Sequence, residues 1–321
     1  MVYLYCGANY QKEILISTCS ALGVPLEPSK LEGPSTSLSF LGIEFDTMAL
    51  QLRLPTDKLL RLKAELNSAI SRRCMKKHSL QSLTGLLQHA TKVIRPGRPF
   101  LRRLHALQSV GSFPYHQIRL NIAARADIIW WHTFVESWNG LSLLWSVGIC
   151  SPDTIVVSDA SGSWGCGAYC SSYWFNMKWP PQAQHFPIAV KELFPVVIAA
   201  AIYGKYWSGQ LIQFSVDNTA VVHVLQATYS RESHLMHLIR ILVFLASHFN
   251  FWFTASHIAG DSNTLADALS RDNTSLFLSQ VPQAHQHPSR IPPPLIDLLV
   301  CNITWTSTVW TKLFKATLQL L

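Results

Sequence analysis

The sequence predicts an α/β fold, with a mixed five-stranded sheet and flanking helices, preceded by a mostly helical region and a β-hairpin. Three observations lead there. From Thr154 to Arg271 the periodic segments run strand, strand, strand, helix, strand, helices, strand, helix, an α/β order with a mixed sheet. Within residues 56–138, apolar residues recur at helical spacing. Around residues 38–54 they alternate instead, as in paired strands. A chain of 321 residues with 49% hydrophobic and only 14% charged residues is not globally disordered and has material for two or three domains. The expected domain limits are 1–55, 56–150, 151–272 and 273–321.

Gln11–Leu22 reads as a helix stopped by Gly23-Val24-Pro25. Leu38–Phe45 and Leu50–Leu54 read as the arms of the hairpin. Thr56–Ser71 is the next helix, with Thr56 as cap, Asp57 in the first turn, and Leu59, Leu62, Leu66 and Ile70 on one apolar face. Ser79–Val93 follows, with Ser79 as cap and Leu80, Leu83, Leu87 and Ala90 inward, and Arg95-Pro96-Gly97-Arg98-Pro99 ends it. Arg119–Trp138 is a third helix, carrying Ile122, Ala126, Ile129 and Trp130.

The net charge of +8 favours a polyanionic partner. It is concentrated: Lys58–Arg103 contains twelve Lys/Arg and one acid, Glu65. That imbalance exceeds what solubility needs. Lys58, Arg61, Lys63, Arg72, Arg73, Lys76 and Lys77 are therefore candidate phosphate contacts, whose attraction would weaken steeply with salt. The alternative is a solvated basic face.

From Thr154 the period changes. Ile155–Ser158, Trp164–Cys170 and Ser172–Trp179 read as strands, with turns at Gly162 and Ser171-Ser172. Pro187 opens a helix through Tyr203, which Pro195 should kink by removing a donor and crowding the carbonyl of Lys191. Leu211–Val216 and Phe251–Ser256 are further strands; Thr219–Gln226, Glu232–Phe249 and Ser262–Leu269 are helices.

Four acids occupy suggestive places in this order. Asp159 and Asp217 end strands, while Glu192 and Asp267 lie on helices. Two-metal phosphodiester hydrolysis needs carboxylates converging on ions about 4 Å apart, one activating water and one stabilising the leaving oxygen. Magnesium favours such oxygen ligands. Taken singly, each acid also reads as a cap, a turn residue or a surface charge.

Four stretches then carry a resemblance: Ser158-Asp159-Ala160-Ser161-Gly162, Lys191-Glu192-Leu193, Val216-Asp217-Asn218, and His257-Ile258-Ala259-Gly260 through Asn263 to Ala266-Asp267-Ala268-Leu269-Ser270-Arg271. Together they resemble the RNase H domain of retrotransposons, and most nearly the DIRS-like group, which carries a tyrosine recombinase. The resemblance implies an RNase H-like sheet that cuts the RNA of an RNA–DNA hybrid with two Mg2+ (or Mn2+) ions held by Asp159, Glu192, Asp217 and Asp267. It implies that His257 aids proton transfer or product release; a packed strand-end histidine is the alternative. Asn263 is read as a cap or orienting residue of the last helix, and Asn218 as a further nucleic-acid contact. Phe40-Leu41-Gly42-Ile43-Glu44-Phe45-Asp46 resembles the block after the palm of retroelement reverse transcriptases, and the basic helices resemble their thumb and connection. The family's palm aspartates have no counterpart here, since residues 1–45 contain no aspartate and Met1–Ala8 stands where that run belongs. The expectation is a chain that does not polymerise DNA, with a separate reverse transcriptase chain as an additional partner.

Seven scattered cysteines read as reduced and intracellular, in cytoplasm or nucleus, and Cys166 with Cys170 lacks the companions of a zinc site. No signal peptide is seen, and no run of about 18 apolar residues suggests a membrane span. His234, His237, His285 and His287 read as non-ligands, and Trp164, Trp174 and Trp179 as core or sheet-face residues. Gln280–Pro294 reads as a linker and Trp305–Leu321 as a short helix, with no recombinase constellation. A non-catalytic nucleic-acid-binding remnant and a DDE-type transposase remain the alternatives to the nuclease.

Overall fold

Leu62, Leu66 and Ala69 repeat at helical spacing and form the buried face of an amphipathic helix in the first of two units. A computed structural model describes residues 8–31, 33, 35–137, 141–142 and 151–300. The first unit is Met1–Gly97 with Leu104–Leu120 and Ile128–Cys150; the second is Arg98–Arg103 with Asn121–Asp127 and Ser151–Leu321. Residues 1–7, where the palm run was expected, and 301–321, where a final helix was expected, lie outside the described residues.

The first unit begins with α1 (Ala8–Ala21) and a meander of β1 (Ser37–Phe40), β2 (Ile43–Asp46) and β3 (Gln51–Arg53). The expected single arm Leu38–Phe45 is broken by a turn at Leu41-Gly42, both at positive φ, where a side chain on Gly42 would collide with Lys58. Helix α2 (Thr56–Ser71) starts one residue earlier than the cap reading implied: Pro55 holds the N-cap position and Thr56 lies inside. Ser79 is likewise inside α3 (Lys77–Ala90), because β4 (Cys74–Lys76) leads directly into it. Helix α4 (Arg102–Gln108) follows, and β5 (Gln117–Arg119) pairs antiparallel with β4, turning Met75 and Ile118 inward. The third expected helix therefore begins later, as α5 (Ile122–Ser137). Strand β6 (Leu141–Ser142) pairs with β3.

The second unit is built on the expected mixed five-stranded sheet. Its strands are β7 (Thr154–Ala160), β8 (Gly165–Cys170), β9 (Tyr173–Lys178), β10 (Leu211–Val216) and β11 (Trp252–His257), in the order β11-β10-β7-β8-β9. Strands β7, β8 and β9 are antiparallel neighbours, whereas β7, β10 and β11 run parallel. This is an RNase H-like arrangement. Helix α6 (Ile188–Tyr203) packs on β7 and β8, runs unbroken through Pro195, and is buried from Val190 to Tyr203. Helices α7 (Thr219–Ala227) and α8 (Ser233–His248) fill the crossover between the two parallel strands β10 and β11. Helix α9 (Thr264–Ser270) lies on β8 and β7, and a side chain on Gly167 would collide with Leu269 of α9.

Two features of this unit were not expected. No helix was expected between Arg271 and the Gln280–Pro294 linker, but α10 (Thr274–Gln280) buries Phe277 against Trp174, Leu269, Val281 and Ala284. The chain beyond it is tied to β9: the Trp174 indole donates to the His285 carbonyl at 2.6 Å, and Ser289 N donates to the Trp174 carbonyl at 2.8 Å. Helix α11 (Pro293–Val300) follows. The second feature is an ion triad around a buried carboxylate: Asp127 lies 3.1 Å from the buried Arg240 and 3.3 Å from the partly exposed Arg103. Arg240 also donates to the Pro99 carbonyl at 3.0 Å. Burial pushes the Asp127 carboxyl up to about 6 against the pull of both guanidiniums.

Truncating Phe277 to alanine removes a fully buried ring and is expected to cost about 3–5 kcal/mol in urea denaturation; a change near zero would mean that α10 is not part of the fold. Asp127→Ala strands the Arg240 guanidinium without its carboxylate and is expected to cost about 3–5 kcal/mol by the same measurement.

Candidate metal centre

Parallel neighbours bring their carboxyl ends to one edge of a sheet. Asp159 lies near the end of β7 and Asp217 directly follows β10, so both arrive at that edge. Helix α6 adds Glu192 from its second turn. One carboxylate oxygen from each of Asp159, Glu192 and Asp217 lies within 4.8 Å of the others. Among the described residues this is the one such group of His, Cys, Asp or Glu side chains.

The electrostatics follow from crowding and burial. Asp159 and Glu192 are 5% and 4% exposed. Burial, followed by the charges of Asp159 and Asp217, raises Glu192 to about 9, opposed by a hydrogen bond from the Ala160 backbone. Burial raises Asp159 to about 6, with the charges of Asp217 and Asp267 adding and a Ser270 hydrogen bond opposing. Glu192 Oε2 has no protein hydrogen-bond partner despite its burial. An orphaned acceptor beside two more carboxylates fits an oxygen-liganded hard divalent cation, which would satisfy the acceptor and cancel the mutual repulsion.

Asp267 behaves differently. It lies outside the triad, and Arg271 Nε binds its Oδ1 at 2.7 Å one helical turn on. Its charge still acts on Asp159. Gly167 is the cross-strand partner of Asp159 and abuts Leu269, which places α9 on the Asp159 face of the sheet. His257 ends β11 exposed, with Nε2 3.1 Å from the Asp217 carbonyl oxygen, and an added side chain at Gly260 would touch the Asp217 carboxylate.

Asn263 occupies the N-cap position of α9 but makes no side-chain cap bond. Its amide instead reaches back to the Ser158 carbonyl at 3.2 Å and to Asp159 Oδ1 at 3.4 Å, so it orients the carboxylate rather than the helix. Asn218, expected at nucleic acid, spends its side-chain oxygen capping α7 through Ala220 N and Val221 N. Sequence reading assigned no role to Lys191, whose buried ammonium donates to Gly162 O at 2.6 Å and Gln184 O at 2.9 Å over the Trp179 ring. It pins the turn that follows Asp159. Its place beside Glu192 in the quoted motif was the available signal.

The basic candidates belong to the first unit and divide. Arg61, Arg72, Arg73 and Lys76 are exposed. Lys63 pairs with Glu136 at 3.0 Å, Lys77 donates to the Gly111 carbonyl at 2.7 Å, and Lys58 lies against the Leu41-Gly42 turn. Three of the seven are thus engaged inside the fold. His234, read as lacking a carboxylate partner, sits 3.0 Å from Glu232, the residue that caps α8. Trp174 and Trp179 are core residues. Among the described residues no helix is long and apolar enough to cross a membrane.

An RNase H-like sheet carrying a carboxylate triad, two of its members buried, is the class that fold and site define. No protein-family model matches the chain, and no curated protein matches its sequence. Among solved structures it is similar to the foamy viral protease–reverse transcriptase in complex with RNA/DNA hybrid, at 15% identity and TM-score 0.33 over 76% of this chain and 33% of that one. It is similar to the dRH form of that protein with double-stranded DNA at 14% and 0.28, over 68% and 38%. The complex with double-stranded DNA gives 15% and 0.30, over 69% and 45%. The chain thus spans less than half of each, and likeness at this level carries no function across.

Because Glu192 titrates higher folded than its ordinary 4.5, its ionisation costs nothing below that pH and opposes folding increasingly up to about 9. The metal-free melting temperature is expected to fall over that window, and Glu192→Gln to flatten part of the slope. Mg2+ or Mn2+ is expected to raise the melting temperature more at pH 8 than at pH 6, as proton and cation compete. Differential scanning calorimetry at several pH values checks this; an unchanged slope in Glu192→Gln would refute it.

Proposed function

We propose that this chain is a divalent-metal-dependent nuclease that hydrolyses RNA in RNA–DNA hybrids. The observation that carries this reading is the convergence of Asp159, Glu192 and Asp217 within 4.8 Å at the edge where the parallel strands end. The resemblance of the motifs around them to retrotransposon RNase H domains is what supports RNA–DNA hybrids as the substrate. On this reading the second unit is the nuclease of a retroelement polyprotein, the DIRS-like group being the nearest by those motifs.

Asp159, Glu192 and Asp217 would hold the cation, with Asp267 joining a second ion when it leaves Arg271. When bound, Mg2+ or Mn2+ supplies an activated water and charge stabilisation of the leaving oxygen. The protein's own part is positional. Asn263 holds Asp159, Lys191 fixes the adjoining turn, and burial keeps Asp159 and Glu192 largely from bulk water. His257, exposed with Nε2 at the Asp217 carbonyl, would move a proton at the rim. The exposed Arg61, Arg72, Arg73 and Lys76 would contact phosphates, and A-form shape with the 2′-hydroxyl would mark the RNA strand.

One observation favours a second reading. The ion pair of Asp267 with Arg271 would leave the fourth carboxylate idle, as in a non-catalytic nucleic-acid-binding remnant. Incubating the purified chain with labelled RNA–DNA hybrid, DNA duplex and RNA duplex, with and without Mg2+, separates the two. The nuclease reading expects Mg2+-dependent cutting of the hybrid, and Asp217→Asn to lower the rate on the order of 10²–10³-fold, the scale seen when one charge-stabilising group is lost. Binding without cutting would support the remnant, and cutting of DNA duplex alone would point to a transposase.

A further inference from the structure

The loop between α4 and β5 leaves two large rings in solvent. Phe113 is 52% and Tyr115 66% exposed, and they stack on each other with centroids 5.5 Å apart and planes 6° from parallel. The His116 ring stands edge-on to both. This loop is tied down rather than loose. Lys77 N donates to the His116 carbonyl and His78 N to the Pro114 carbonyl, each at 2.9 Å, while Ser112 N donates to His116 Nδ1 at 3.2 Å. Lys77 Nζ closes the base on the Gly111 carbonyl. The rings are therefore preorganised, and a partner stacking on them would lose little conformational entropy in this loop.

Charge identifies the partner. Within the first unit, Leu66–Gly97 and Leu104–Leu120 carry seven Lys/Arg and no Asp or Glu. Lys77 spends its ammonium on a carbonyl, so its charge is not neutralised there. The outward face of the adjoining β4–β5 ribbon presents Cys74, Lys76, Gln117 and Arg119, all exposed. Flat aromatic faces beside the exposed cations Lys76 and Arg119 suit a polyanion with exposed π-faces. A duplex offers phosphates but keeps its bases stacked inside. An anionic membrane offers charge, but the ribbon has no continuous apolar face to insert. We propose that the Gly111–His116 loop and the β4–β5 ribbon form a stacking site for unpaired nucleotides of a nucleic-acid strand. This does not rest on the nuclease reading.

The test compares, on the full chain by fluorescence anisotropy, a labelled oligothymidylate of about 15 nucleotides with an abasic strand of equal phosphate number and with phosphatidylserine vesicles. The oligothymidylate is expected to bind more tightly than the abasic strand. Phe113→Ala with Tyr115→Ala is expected to weaken the oligothymidylate by about tenfold or more while shifting the abasic strand little. Equal loss on both strands, no loss on either, or loss confined to the vesicles would overturn the proposal. An arm that needs no variant uses an oligonucleotide bearing 5-iodouridine, photo-cross-linked to the unaltered chain. Adducts mapped by mass spectrometry to Phe113 or Tyr115 support the site, and adducts exclusively elsewhere refute it.

Discussion

Three carboxylates held within 4.8 Å of one another are the constraint on which the second unit depends. Without a counter-charge, such a group repels itself, and burial removes the water that would screen it. The fold holds it nonetheless, because each backbone that carries an acid is fixed by packing elsewhere. Strand β7 is the central strand, covered on both faces, and α6 is buried along nearly its whole length. The unfavourable charge is concentrated where a cation would turn it into attraction. Hydrogen bonds from Asn263, Ser270 and the Ala160 backbone reach the acids without neutralising them.

Helix α9 links this centre to the outer layer of the unit. Leu269 packs on Gly167 and also joins the cluster around Phe277 and Trp174. The position of Asp267 and the orientation of Asn263 therefore depend on the same small contact that seats the segment through His285. The close approach at Gly167 leaves no room for a side chain, so the backbone there is bound to glycine by its neighbour rather than by its own conformation.

The first unit uses charge differently. From Lys58 to Arg119 its cations have one acid among them, Glu65, and some are engaged internally by Glu136 or by backbone carbonyls. What remains outward is a field with an aromatic tip rather than a single phosphate pocket. Cationic excess was visible in composition, but which cations are available to a partner depends on three-residue strands and a loop closure.

The class of the sheet unit and the position of Asp159, Glu192 and Asp217 along it were legible from the chain alone. Strand and helix periods, and acids at strand ends, are local patterns. So was the burial of Trp174 and Trp179. Tertiary structure decided the rest, because those facts depend on partners distant in sequence. The pairing of β4 with β5 joins segments too short to show a period, and it displaced the expected cap at Ser79 and the expected helix start at Arg119. Asp267 pairs with Arg271 and lies outside the triad, which spacing does not reveal. Gln280–Pro294 looks like a linker by composition, yet the Trp174 indole and a few backbone hydrogen bonds dock it on β9. Periodicity reports which face of an element is apolar; only the assembled fold reports what that face, or a charge beside it, meets.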